Sequence, residues 1–145
     1  MMRNFQGRMR LMPEGSYIIH NGTADFFYVN HDINKALLVP HMKRYDRFVA
    51  EPFENEAIRF MDETGAAEVY IDMSDAHFVD SAAIKELESM KHYAESKGRK
   101  LRIKVNPEVY ELLEVSGNKS SLPLCDSIPE ELYREAGMLN RREHA

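Results

Sequence analysis

The residues that first suggest chemistry stand together at His77-Phe78-Val79-Asp80-Ser81. A histidine, an aspartate and a serine are the side-chain types of a hydrolytic triad. Here they crowd into one short stretch, and no Gly-x-Ser-x-Gly elbow surrounds the serine, so no catalytic role is expected. A second chemistry suits them better. Where a loop gives way to a helix at Ser81, the serine takes the N-cap position and accepts a hydrogen bond from a free helical N–H. Unpaired N–H groups and the helix dipole also favour an anion there. A phosphate on Ser81 would add about −1.5 to −2 charges next to Asp80 and near Asp75. Ser81 is thus a candidate modification site, with a plain capping serine as the competing reading.

Other chemistry finds less support. His20, His31, His41, His77, His92 and His144 show no metal-ligand spacing with Cys125, and no Gly-rich phosphate loop is present. Neither a metal nor a cofactor is expected. Cys125 is the only cysteine of the 145 residues, which fits a reducing compartment and a cytoplasmic protein. A net charge of −5 argues against nucleic acid as the main partner. Arg3, Arg8, Arg10, Arg141 and Arg142 are the basic exceptions, read as solvated tails. No stretch nears the roughly 20 apolar residues of a membrane span, and the N-terminus lacks the apolar run of a secretory signal. The nine methionines read as core filler or as a loose N-terminal arm.

The elements that must position Asp80 and Ser81 can be read from punctuation and period. Residues 1–15 carry no clear period. Ser16–His20, Phe26–Val29 and Ala36–Val39 read as short strands in an antiparallel start, with Pro40 behind the third. Helical spacing follows: Val49, Phe53, Ala57, Phe60 and Met61 share a face, Pro52 suits a first turn, and Gly65 stops the run. Ala67–Met73 is a strand, Ser74–Asp80 a loop, and Ile84, Leu87, Met90 and Ala94 mark a second helix that ends at Gly98. Leu101-Arg102-Ile103-Lys104-Val105 alternates, so one face of this strand meets solvent or only long side-chain stems. Asn106-Pro107 opens a third helix with Val109, Leu112, Leu113 and Val115 inward, and Gly117 closes it. Leu122–Cys125 reads as a last strand. Ser127-Ile128-Pro129-Glu130 has capping-box spacing for a fourth helix that runs to about Met138. This order predicts a single α/β domain with a mixed sheet and about four helices mainly on one face.

From Asn34 to Cys125 the chain resembles the STAS family. That family includes bacterial anti-sigma factor antagonists and the cytoplasmic tails of sulfate-type transporters. The segment Val69 to Ile84 looks like the family's strand, loop and Asp-Ser helix start. Gly98 to Val105, Asn106-Pro107-Glu108-Val109 and Val115-Ser116-Gly117 are similar to the units that follow. The resemblance implies a STAS-like domain over residues 25–138, an N-terminal extension over 1–24 that is a candidate for an extra strand, and a polar tail over 139–145. It carries the family's phosphorylated serine to Ser81 and a partner-binding surface to Asp46, Asp80, Ser81, Ala82 and Lys85. Two departures stand in that surface. Ala82-Ala83 replaces a pair that is often Ser or Thr then Gly, and Lys43-Arg44-Tyr45-Asp46 replaces Gly-Glu-Leu-Asp.

Three functions compete. The first is a non-enzymatic module resembling an anti-sigma factor antagonist, which binds a kinase-like or anti-sigma partner and is released by phosphorylation at Ser81. The second is an accessory subunit of a membrane transporter, of sulfate type or of a lipid ABC system, without membrane insertion of its own. The third is a nucleotide or metabolite sensor. The N-terminal extension is a candidate for pairing with a second copy of the chain, since an unpaired sheet edge invites association.

Overall fold

Gly65, Gly98 and Asn106-Pro107 punctuate the chain where the pattern places them, and the strands between them assemble in the expected order. The computed structural model describes residues 8–11, 16–20, 22–30 and 33–137. Eight strands and four α-helices follow in sequence: β1 (Arg8–Leu11), β2 (Tyr17–His20), β3 (Ala24–Val29), β4 (Lys35–Pro40), β5 (Arg44–Tyr45), α1 (Arg47–Thr64), β6 (Glu68–Met73), β7 (Phe78–Val79), α2 (Ser81–Ser96), β8 (Lys100–Val105), α3 (Pro107–Val115) and α4 (Glu130–Ala136). The main sheet runs β1-β2-β3-β4-β6-β8. Its first four strands pair antiparallel, and β4, β6 and β8 are parallel. Thus β2, from the expected N-terminal extension, pairs along β3 and buries Ile18 and Ile19.

Alternate residues of each central strand feed two cores. Ile19, Phe26, Leu38, Val69, Ile71, Leu101 and Ile103 face the larger one, roofed by Phe53, Phe60 and Met61 of α1, Leu87 and Met90 of α2, and Val109 and Leu113 of α3. The opposite residues Ile18, Phe27, Val29, Leu37, Val39 and Tyr70 meet Ile128, Leu132, Tyr133 and Ala136 around α4. Three helices therefore share one face and α4 covers the other. This explains a contrast in the sequence. β3 and β4 read as apolar runs because both faces are covered, whereas Arg102 and Lys104 on the second face of β8 stay half-exposed.

Several boundaries differ from the expectation. α1 opens five residues before Pro52, because Asp46 caps it by accepting from Phe48 N at 3.0 Å, so the proline lies inside the helix. α2 is capped by Asp80, not Ser81. α4 has no capping box: Pro129 holds its N-cap position without a side-chain bond. A helix begun at Ser127 would need Ile128 helical, which the following proline disfavours. Leu122–Cys125 contracts to a single parallel bridge, Ile103 to Leu124, flanked by Ile103 N–H to Pro123 O and Cys125 N–H to Ile103 O, both 2.9 Å. Pro123 has no N–H to extend it. In α3 only the Val109 and Leu113 stripe is buried, and Leu112 and Val115 face outward. The expected end of the fourth helix near Met138 lies outside the described residues.

Candidate functional site

Two short strands that the sequence reading passed over build the site. β5 and β7 pair in parallel, Arg44 with Phe78 and Tyr45 with Val79, as a sheet of their own. Each is followed at once by an aspartate and a helix: Tyr45-Asp46 leads into α1, and Val79-Asp80 into α2. The pairing sets the two helix starts side by side.

Asp80 joins them. Its Oδ1 accepts from Ala83 N at 2.8 Å, which caps α2, and its Oδ2 accepts from Arg47 N at 3.2 Å, in the first turn of α1. The Asp80 N–H reaches back to Tyr45 O at 3.4 Å. Of the four N–H groups that a helix start leaves without intrahelical acceptors, those of Asp80 and Ala83 are thus engaged, and those of Ser81 and Ala82 remain. Ser81 is exposed at the first helical position, Ala82 is half-buried, and Lys85 stands exposed one turn on. Asp46, Asp80, Ser81, Ala82 and Lys85 therefore cluster around the two starts. His77, in contrast, lies 3.7 Å from Glu108 at the surface, and both Asp80 oxygens face backbone amides, so His77, Asp80 and Ser81 do not form a relay.

Aromatic residues that the sequence reading did not single out flank this cluster. Phe48 is 75% exposed in the first turn of α1, and Phe78 is 37% exposed in β7. The Arg44 guanidinium lies 4.1 Å from the Phe78 ring centre, and that of Arg47 lies 5.2 Å from the Phe48 ring centre. Exposed aromatics stacked with arginines are common anchors at protein interfaces. The available signal was that Phe48 falls off the apolar face defined by Phe53, Ala57 and Phe60.

Behind the site, His41 Nε2 meets Asp25 at 2.9 Å and His20 Nδ1 meets its other oxygen at 2.9 Å. Burial pushes the Asp25 carboxyl up, but the hydrogen bonds and charge of the two imidazoles outweigh it and hold the group below its ordinary value. Among the described residues, no group of three or more His, Cys, Asp or Glu side chains is placed to hold a metal ion. No helix among them is long and apolar enough to cross a membrane.

With this geometry in place, the comparisons define the class. The STAS domain model matches residues 31–131, and the chain belongs to the STAS domain family. No curated protein matches it. Among solved structures, the anti-sigma factor antagonist SpoIIAA in its unphosphorylated form is 14% identical, with a TM-score of 0.57 over 77% of this chain and 96% of that one. An anti-sigma factor antagonist from Mycobacterium paratuberculosis is 16% identical, with a TM-score of 0.58 over 77% and 93%. The phosphorylated form of SpoIIAA, a Bacillus cell fate determinant, is 12% identical, with a TM-score of 0.53 over 77% and 98%. At these identities the likeness is one of fold.

Proposed function

We propose that this chain is a non-enzymatic protein-binding module of the anti-sigma factor antagonist kind, docking its partner over Asp46, Asp80, Ser81, Ala82 and Lys85. The carrying observation is that Asp80 ties the two helix starts together and leaves Ser81 exposed beside the tie. A rigid patch at that point costs little ordering on binding. Phe48 and Phe78, with their arginines, extend it with apolar area and cationic character. The Lys43-Arg44-Tyr45-Asp46 departure falls in the same patch, so the partner would carry acidic residues opposite Arg44 and Arg47.

Phosphorylation at Ser81 is the proposed release. A phosphate there would share the two remaining N–H groups, next to the Asp80 carboxylate and at the centre of the docking surface. Its charge would repel an acidic partner. The test is phosphopeptide mass spectrometry on the protein from its native cells, combined with affinity capture of partners on wild type and on S81A. Phosphate at Ser81 that varies with growth, together with a partner that leaves the phosphorylated form, is the expected result. A partner captured equally by both forms overturns the release step. A partner found only among membrane transporter components would replace the antagonist reading with the accessory-subunit one.

A further inference from the structure

A hollow of about 250 Å³ opens between the start of β3 and the first turns of α1. Phe26 and Phe53, buried in the larger core with ring centres 5.8 Å apart, line its depth. Half-buried Met42 and exposed Phe48 and Pro52 line its sides. Apart from Thr23, Glu56 is the only polar residue in the described lining. Its side chain is half-buried, and its Oε2 is shielded from water with no hydrogen-bond partner among the described residues. A buried acceptor left unmatched costs free energy until a donor reaches it. Burial pushes the Glu56 carboxyl up, and the charge of Arg59 opposes this only in part. The terminal torsion of a glutamate is soft, so either oxygen can turn to a donor that enters the hollow.

We infer that this hollow takes one tryptophan side chain from a protein partner, with the indole N–H donated to Glu56, as the anchor of the docking patch. Size points to a side chain, because sites for whole small molecules run from about 300 to 1,000 Å³. The walls suit an aromatic ring: Phe26, Phe48 and Phe53 offer faces and edges, and Met42 a thioether. Indole is the largest aromatic side chain and, unlike a phenol, donates without accepting. A lysine would also meet Glu56, but the Arg47 guanidinium, 5.2 Å from the Phe48 ring centre, sets a positive charge at the mouth. The hollow is continuous with the patch, since Arg47, whose amide donates to Asp80, directly precedes Phe48. Arg44 and Arg47 then call for acidic residues beside the tryptophan. The anchor role rests on the proposed docking function, whereas the fit of an indole ring to the hollow does not.

The experiment titrates the full chain, labelled at methionine and valine methyls, with indole and with 1-methylindole, and follows both by NMR. The methyls of Met42 and of Val49, which also lines the hollow, are expected to shift and saturate with indole in the millimolar range. 1-Methylindole has no N–H and should bind at least about fivefold more weakly. E56L erases that difference, whereas E56Q, which keeps a carbonyl acceptor, retains it. A capped peptide with tryptophan between aspartates should bind at least about fivefold more tightly than N-acetyltryptophanamide, and R44Q/R47Q should remove the gain. Unmoved Met42 and Val49 methyls overturn the hollow as a site. Equal binding of the two indoles overturns the role of Glu56. An acidic peptide no tighter than N-acetyltryptophanamide overturns the docking anchor and assigns the hollow to a free small molecule. No arm involves Ser81 or a native partner, so the hollow and the phosphorylation switch fail separately.

Discussion

Asp80 and Ser81 are neighbours whose contributions to folding differ sharply. Asp80 spends both carboxylate oxygens on backbone amides of two helices. Its removal by D80A takes away the α2 cap and the link to α1 together, and an expected loss of about 1–2 kcal/mol follows from the cap alone. D80N keeps a capping oxygen and loses less. S81A touches an exposed side chain and stays within about 0.5 kcal/mol of wild type. Urea unfolding of the three variants decides it, and a D80A no more destabilised than S81A would remove the bridging role. The sequence pointed to this pair but exchanged their tasks. Ser and Asp are both good caps, and only the β5–β7 pairing, which sets where the extended chain ends, selects Asp80.

At the scale of elements, α1 shows what periodicity can and cannot reveal. Phe53, Ala57, Phe60 and Met61 were legible because burial imposes a 3.6-residue period over the body of the helix. Its start was not, since a proline at position 52 reads most simply as a first-turn residue. Asp46 caps the helix earlier, and Pro52 is left exposed in the second turn, without an N–H for the Phe48 carbonyl. The extra turn carries Phe48 and brings Arg47 to Asp80, so a local cost in helix stability accompanies the candidate surface. P52A restores the donor, and a gain of about 1–3 kcal/mol in unfolding free energy is expected. An unchanged or lowered urea midpoint would show that the proline sits there without cost. β5 and β7 escaped notice for a related reason: at two residues each they are too short to display any alternation.

Over the whole molecule the order of strands and helices was readable. The parallel half follows from alternation of strands and helices, and the one-sided cover of β8 follows from Leu101-Arg102-Ile103-Lys104-Val105. The role of α4 was harder to see, because a seven-residue helix has almost no period to read. Its importance shows only when the second core is assembled. Without it, Phe27, Leu37 and Val39 would have no helix above them. The Tyr133 hydroxyl also donates to Asp72 Oδ2 at 2.5 Å, and Asp72 is fully buried near the end of β6. α4 is thus joined to the sheet by the apolar contact of Leu132 and by the bond from Tyr133 to a buried acid. L132A is expected to cost about 2–5 kcal/mol, as for a buried leucine, and Y133F about 1–3 kcal/mol, as for the loss of a donor to a buried polar group. Both should act through the one cooperative transition, so that loss of near-ultraviolet signal and loss of helicity coincide in urea. If both variants stayed within about 0.5 kcal/mol of wild type, α4 would be an appendage rather than the second wall of the fold. The α1–α2 face that bears Asp46, Asp80 and Ser81 would then be supported by the larger core alone.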